Sequence, residues 1–119
     1  MSRTVWDGVY TTAQADRSAV RYADDCATCH AANMRGGPGG PNLTGVEFLF
    51  AWNGRTAGEL FEFVQTSMPP GGGGTLRDAE VADMVAAIFA GNGFPPSPDR
   101  ELPADRASLE SIRITRGRE

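Results

Sequence analysis

The run Cys26-Ala27-Thr28-Cys29-His30 constrains this chain more than any other feature, because it holds both cysteines and the single histidine of the 119 residues. Two thiols this close together cannot build a disulfide framework. A structural zinc site usually has four Cys or His ligands, and only three occur in the chain. The run therefore indicates a chemistry that uses two neighbouring thiols and one imidazole together.

Covalent attachment of haem is the chemistry that this run fits best. In a Cys-x-x-Cys-His motif the thiols add to the two vinyl groups of the porphyrin, and the adjacent imidazole binds the iron. We therefore predict one haem c, attached through Cys26 and Cys29, with His30 as an axial ligand. Two alternatives stay open, namely a haem-free dithiol redox site and a pair of structural cysteines. The dithiol site usually lies beside a β-α-β unit, which the sequence does not indicate.

The second axial ligand cannot be another histidine of this chain, because His30 is the only one. Among the four methionines, Met1 is terminal, Met34 lies four residues after His30, and Met84 belongs to an apolar helical stripe. Met68 is followed by two prolines that stiffen the backbone, and we predict it as the sixth ligand. Methionine and histidine together are typical of an electron carrier rather than an enzyme. The alternative is a haem enzyme or gas sensor with an open distal iron site.

A dry, apolar pocket would further disfavour the extra positive charge of ferric haem. The candidates for its lining, each of which could equally be ordinary helix packing, are Phe48, Phe50, Leu60, Phe61, Val64, Leu76, Val85 and Phe89.

The apolar spacing between the glycine- and proline-rich stretches is helical, and no segment alternates as a strand would. We therefore predict an all-α fold, in which an arginine-rich tail over residues 113–118 is mobile. A capping box at Thr56 and Glu59 predicts the start of one helix. The predicted helical segments are residues 15–26, leading into the cysteine motif, 46–52, a helix from 56, 76–90 and 104–112.

Charge and hydropathy exclude two classes of partner. The formal net charge is −4, and the 11 basic residues are all arginines, so no lysine-rich patch exists for a phosphate backbone. No apolar run approaches the roughly 20 residues that a membrane-spanning helix needs. We therefore expect neither nucleic acid binding nor a membrane span.

Beyond the haem motif, the chain resembles the class I c-type cytochromes over residues 15–90. The resemblance implies a small fold of about four to five helices around one haem, with crossing N- and C-terminal helices. It also implies that the Pro41 carbonyl accepts a hydrogen bond from His30 and so orients the imidazole. Ala87 stands where the family often has an aromatic residue, so we expect Phe89 or Phe94 to fill that space. The features that carry the resemblance are Tyr22 four residues before Cys26, Pro41-Asn42-Leu43-Thr44-Gly45, Met68-Pro69 and Ile88-Phe89.

The flanks resemble a narrower group, the cytochrome c modules that accompany PQQ-dependent dehydrogenases. This resemblance implies a quinoprotein alcohol or sugar dehydrogenase as electron donor, and a respiratory oxidase or another cytochrome as acceptor. It also suggests that Trp52 and Arg55 contact the haem propionates. The alternative for that pair is a packed tryptophan and a solvated arginine. The segments that carry this resemblance include Val5-Trp6-Asp7-Gly8-Val9-Tyr10, Trp52-Asn53-Gly54-Arg55 and Asn92-Gly93-Phe94-Pro95.

The chain is expected to form one haem domain with two extensions. We assign residues 15–95 to the haem domain, 1–14 to an N-terminal extension and 96–119 to a C-terminal extension. Covalent haem attachment follows export, so we expect a periplasmic protein whose signal peptide is absent from this chain. We expect a monomer that meets its redox partners through a small, weak contact around the haem edge.

Covalent attachment can be tested by intact mass. Under denaturing conditions the purified protein should exceed the mass of its polypeptide by one haem, because thioether bonds survive unfolding. A variant that combines Cys26→Ala and Cys29→Ala is the control and should show the polypeptide mass alone. The bare mass for the unaltered protein would contradict attachment and favour one of the haem-free alternatives.

Overall fold

The computed structural model describes residues 3–18, 43–67 and 76–117. The described part is mostly helical, as predicted, and includes one small parallel sheet that the sequence did not indicate. In chain order the elements are β1 (Arg3–Thr4), a short 3-10 helix (Val5–Asp7), α1 (Thr12–Arg17), α2 (Gly45–Trp52), α3 (Ala57–Ser67), α4 (Asp78–Gly91), α5 (Arg106–Leu109) and β2 (Ile112–Arg113).

Helix α4 has more buried residues than any other described helix. It begins two residues later than predicted, where the Glu80 carboxylate accepts a hydrogen bond from the Arg77 N–H at 2.9 Å. Helices α1 and α3 both pack against it. The packing of α1 on α4 agrees with the contact expected between the first and closing helices. The buried residues of α4 are Val81, Ala82, Met84, Val85, Ala86, Ala87, Ile88 and Phe89.

Helix α3 begins with the capping box that the sequence predicts. The Thr56 hydroxyl accepts from the Glu59 N–H at 3.1 Å, and the Glu59 carboxylate accepts from the Thr56 N–H at 2.9 Å. These bonds satisfy two amides at the helix start. The pKa of Glu59 lies below its ordinary value, mainly because the Thr56 amide donates to the carboxylate and also because Arg55 is close. Helix α3 ends at Ser67, so the next residue in the chain is Met68.

Helix α1 differs from its prediction at both ends. It begins at Thr12 rather than residue 15, because the Thr11 hydroxyl caps it by accepting from the Gln14 N–H at 3.0 Å. It ends at Arg17, where the amide and hydroxyl of Ser18 both donate to the Ala15 carbonyl. The helix predicted over residues 15–26 therefore ends at Arg17 within the described residues, because this local bonding closes a turn, and residues 19–26 lie outside the described ranges.

An aromatic cluster joins the N-terminal segment to the end of α4. The Phe94 ring lies edge-on to Trp6 at 4.9 Å and to Phe89 at 5.5 Å between centroids. The Tyr10 hydroxyl donates to the Phe94 carbonyl at 2.5 Å. Phe89 and Phe94 are both buried, at 0% and 1% exposed, so both candidates for the missing aromatic residue belong to the core.

The C-terminal segment, residues 105–117, is anchored in the core, although we predicted a mobile tail over residues 113–118. Ile112 and Ile114 have no exposed surface. The Ile114 N–H donates to the Arg55 carbonyl at 2.8 Å, and the Gly54 N–H donates to the Ile114 carbonyl at 2.7 Å. The prediction is wrong over the described residues 113–117, because the buried Ile114 and its main-chain hydrogen bonds hold this segment despite its arginines.

The last predicted helix is shorter than the sequence indicates. Helix α5 begins after Asp105, whose carboxylate accepts from the Ser108 N–H at 2.8 Å, and ends at Leu109. The residues after it form β2, which pairs Ile112 with Arg3. Pairing with the N-terminal strand therefore replaces the last turn of the predicted helix over residues 104–112.

A buried glutamine connects α1 to Leu102, in the stretch of chain between α4 and α5. The Gln14 side chain is 2% exposed; its amide donates to the Leu102 carbonyl at 3.1 Å and accepts from the Leu102 N–H at 2.8 Å. On the nearby surface, the Arg17 guanidinium pairs with Glu101 at 2.7 Å and with Asp83 at 3.2 Å. The glutamine therefore satisfies both backbone groups of Leu102 away from water.

Replacing this glutamine should destabilise the fold measurably. Gln14→Ala removes two hydrogen bonds and leaves two buried backbone groups unsatisfied, so we expect a loss of about 2–3 kcal/mol in the free energy of unfolding. Urea denaturation measures this free energy of unfolding for each variant. The control is Gln65→Ala, which removes a surface hydrogen bond to Asp78 and should cost about 0.5 kcal/mol or less. Equal losses for the two variants would contradict the role of Gln14.

Candidate functional site

Two of the predicted site residues, Trp52 and Arg55, lie in the described part of the chain. The structure brings these two together beside the start of α3. The roles of the other site residues stay predictions, because these residues lie outside the described ranges: Cys26, Cys29, His30, Pro41 and Met68.

Trp52 and Arg55 form a cation–π pair. The Arg55 guanidinium carbon lies 4.3 Å from the centroid of the Trp52 ring, within the usual range for such pairs. A guanidinium nitrogen of Arg55 lies 3.5 Å from a carboxylate oxygen of Glu59, and the Arg55 side chain is 49% exposed. The guanidinium is therefore held in place while part of it stays open to solvent.

The Trp52 ring also packs against two phenylalanines. It stacks near Phe48, with centroids 6.4 Å apart, and meets Phe63 edge-on at 5.8 Å. Trp52 is half-buried and packs against the core. This placement agrees with a packed tryptophan and leaves the predicted propionate contact untested.

The loop that carries Arg55 is held by backbone hydrogen bonds on both sides. Within the loop, the Arg55 N–H donates to the Trp52 carbonyl at 2.9 Å. Gly54 has φ +86°, a left-handed conformation that favours glycine. From outside, Ile114 bonds to both Gly54 and Arg55, and the Arg116 N–H donates to the Asn53 side chain at 2.9 Å. The C-terminal segment therefore fixes the backbone from which the guanidinium extends.

Most of the apolar residues that we expected to line a cofactor pocket are buried. The exception is Phe50, which is 87% exposed, so the structure does not place it in the interior. Residues two apart on a helix point to different faces, and the neighbouring Phe48 takes the buried face of α2. The buried members of the predicted lining are Phe48, Leu60, Phe61, Val64, Leu76, Val85 and Phe89.

This interior fits a haem by its chemistry. Among the described residues, no Asp, Glu or Arg is buried as a whole, although one guanidinium nitrogen of Arg3 is. Besides the Tyr10 hydroxyl, the buried polar side chains are those of Thr11, Gln14, Ser18 and Thr56. Apolar surroundings suit the faces of a porphyrin and disfavour the extra positive charge of ferric iron. The thiol, imidazole and thioether groups available elsewhere in the chain are donors that haem proteins use.

The described residues contain no cluster of side chains that could bind a metal ion directly. Across residues 3–18, 43–67 and 76–117, no three His, Cys, Asp or Glu side chains gather closely enough to hold one. In the same ranges, no helix is both long enough and apolar enough to cross a membrane.

Comparison with known proteins identifies the family. The model of the family described as cytochrome c oxidase, cbb3-type, subunit III matches residues 13–86, which is more than half of the chain. No curated protein and no solved structure matches the chain. The chain therefore belongs to this family of cytochrome c domains. It is a class I c-type cytochrome that binds haem c and carries electrons between redox proteins.

Sequence reasoning missed the C-terminal segment that lies beside Trp52 and Arg55. The available signal was the alternation of Ile112 and Ile114 around Arg113. Three residues are too few to distinguish a strand from a loop by periodicity. The contact between the C-terminal segment and the loop that carries Arg55 is shown only by the hydrogen bonds of Ile114 to Gly54 and Arg55.

Removing the charge of Arg55 should lower the reduction potential. If the guanidinium lies near a propionate, Arg55→Gln removes a positive charge that disfavours ferric haem. We expect a decrease of tens of millivolts, because a partly exposed charge that lies farther than 4 Å from the iron interacts with it by about 1 kcal/mol or less. Spectroelectrochemical titration measures the potential. The control is Arg100→Gln, which removes an exposed arginine of the C-terminal extension. Equal shifts in both variants would contradict a local role for Arg55.

Proposed function

We propose that this cytochrome is a monohaem electron carrier, with its haem attached through Cys26 and Cys29 and its iron bound by His30 and Met68. The observation that carries the proposal is the Cys-x-x-Cys-His run within the matched residues 13–86. A haem c supplies a one-electron couple between ferric and ferrous iron. Electron transfer of this kind makes and breaks no bond in a substrate.

The residues of the chain have three tasks in this proposal. The buried apolar side chains exclude water, which favours the ferrous state and raises the potential. The Pro41 carbonyl orients the His30 imidazole by accepting its N–H. Helix α3 positions Met68, because Met68 follows directly after its last residue, Ser67. A short helix with a capped start is a stiff support for such a ligand.

We further propose that the electron donor is a quinoprotein alcohol or sugar dehydrogenase, and that a respiratory terminal oxidase or another cytochrome accepts the electron. The flanking segments support this choice, above all Trp52-Asn53-Gly54-Arg55, because they resemble modules that accompany such dehydrogenases. The absence of lysine and the net charge of −4 support a small, weak contact rather than docking through a lysine ring.

We place the mature protein in the periplasm as a monomer. The support for this location is chemical, because covalent haem attachment follows export in a typical bacterium. A monomer agrees with a carrier that has to meet a donor and an acceptor in turn through the same exposed haem edge. Fractionation of cells that express the full-length protein, followed by a haem stain, tests the location.

Replacing Met68 tests the ligand assignment. The unaltered protein should be low-spin in both oxidation states, with the weak ferric band that reports iron bound to a thioether. Met68→Ala should lose that band, lower the potential and bind carbon monoxide in the ferrous state, because the sixth position opens. Absorption spectra and a redox titration measure these changes.

The matched control is Met84→Leu, which replaces a methionine that is 1% exposed within α4 by a side chain of similar volume. Its spectrum should be that of the unaltered protein. An unchanged spectrum for Met68→Ala would show that another group is the ligand. A high-spin spectrum of the unaltered protein would instead favour a haem enzyme or gas sensor with an open iron.

A further inference from the structure

Helix α5 and strand β2 lie against α3, the helix whose last residue precedes Met68. We propose that residues 105–114 of the C-terminal segment position α3 and thereby hold Met68 at the iron. The inference rests on the proposed function, in which Met68 is the sixth ligand. It assigns a role in the redox site to a part of the chain that lies beyond the matched residues 13–86.

The first support is a close approach that only glycine allows. Gly58 lies in the first turn of α3, opposite α5. A Cβ atom on Gly58 would lie 2.8 Å from the Arg106 carbonyl oxygen and 2.9 Å from a carboxylate oxygen of Glu110. The first of these atoms is backbone and cannot rotate away. The separation of α3 and α5 is therefore set by backbone contact.

The second support is a polar network that connects the two helices. The Thr56 hydroxyl, which caps α3, lies 3.1 Å from the Glu110 carboxylate. The other oxygen of that carboxylate accepts from the Arg106 guanidinium at 2.8 Å. Arg106 also forms an ion pair with Glu62. Arg106 is thus connected to α3 directly at Glu62 and, through Glu110, to the cap residue Thr56, about a turn and a half away.

The third support is that the segment is anchored in the core beside α3. Leu109 and Ile112 have no exposed surface. Arg113 forms an antiparallel bridge with Thr56, the residue that caps the helix. The segment is therefore fixed to the core. If its contact with α3 changes, we expect α3 to move rather than the segment.

Helix α3 can transmit such a change because it is short and stiff. Its 11 residues span about 16 Å. Helix α3 packs against both α4 and the C-terminal segment. A side chain at position 58 would increase the separation of α3 and α5, and this would change the packing of α3 against α4. The backbone that leads into Met68 moves with the helix end. A displaced thioether binds the iron more weakly and yields more readily to another ligand.

The test is imidazole binding to the ferric, haem-loaded protein, because imidazole has to displace Met68. Gly58→Ala should raise the affinity for imidazole at least tenfold and weaken the ferric band of the iron–thioether bond. Arg106→Ala removes the polar network without the steric clash and should raise the affinity by about threefold to fivefold. Arg106→Lys retains the charge and should return the affinity to within about twofold of the unaltered protein.

The control separates positioning from general destabilisation. Tyr10→Phe removes the buried hydrogen bond to the Phe94 carbonyl, away from the contact between α3 and α5. It should lower the urea midpoint while changing imidazole affinity by less than about twofold. If Gly58→Ala and Tyr10→Phe raise the affinity equally for equal losses of stability, the positioning role is overturned.

Met68→Ala distinguishes the two ways in which the proposal can fail. If this variant binds imidazole more tightly but Gly58→Ala and Arg106→Ala do not, the positioning role is wrong and the ligand assignment stands. If Met68→Ala leaves both the ferric band and imidazole affinity unchanged, the ligand assignment is wrong and the positioning role falls with it.

Discussion

Burial of helix α4 is the interaction on which the rest of the described structure depends. Its inner residues are almost wholly removed from water, and both α1 and α3 pack against them. The aromatic cluster around Phe89 and Phe94 then ties the N-terminal segment to the end of this helix. A domain of this size has one small core, so helix α3, which ends just before the predicted ligand Met68, and the buried apolar side chains around it share a single support.

The C-terminal segment gives the site a second support. Ile114 bonds to the loop that carries Arg55, while Arg106 and Glu110 contact the start of α3. The cation beside Trp52 and the helix that precedes Met68 are therefore held by the same stretch of chain. The segment lies far from both in sequence and follows the matched residues 13–86.

Sequence reasoning succeeded where the signal was local. The Thr56 and Glu59 capping box predicted the start of α3 because both partners lie within one turn. The apolar stripe of α4 was equally legible, because a helix repeats its face every three or four residues. Phe50 was misplaced because an apolar run on α2 does not say which residues face inward. The tail over residues 113–118 was misread because its three arginines outweighed the single isoleucine, Ile114, that is buried.

The amino-acid sequence by itself determined the class of cofactor and the helical class of the fold. A Cys-x-x-Cys-His run sets its chemistry by spacing within five residues, and helical periodicity is likewise local. Only the tertiary structure decided that Ile114 pairs with residues 54 and 55, and that Gly58 meets the backbone of Arg106. Such contacts join residues about 50 to 60 apart in the chain, where no short-range pattern records which surfaces meet. They form because burial of the whole core brings those surfaces together.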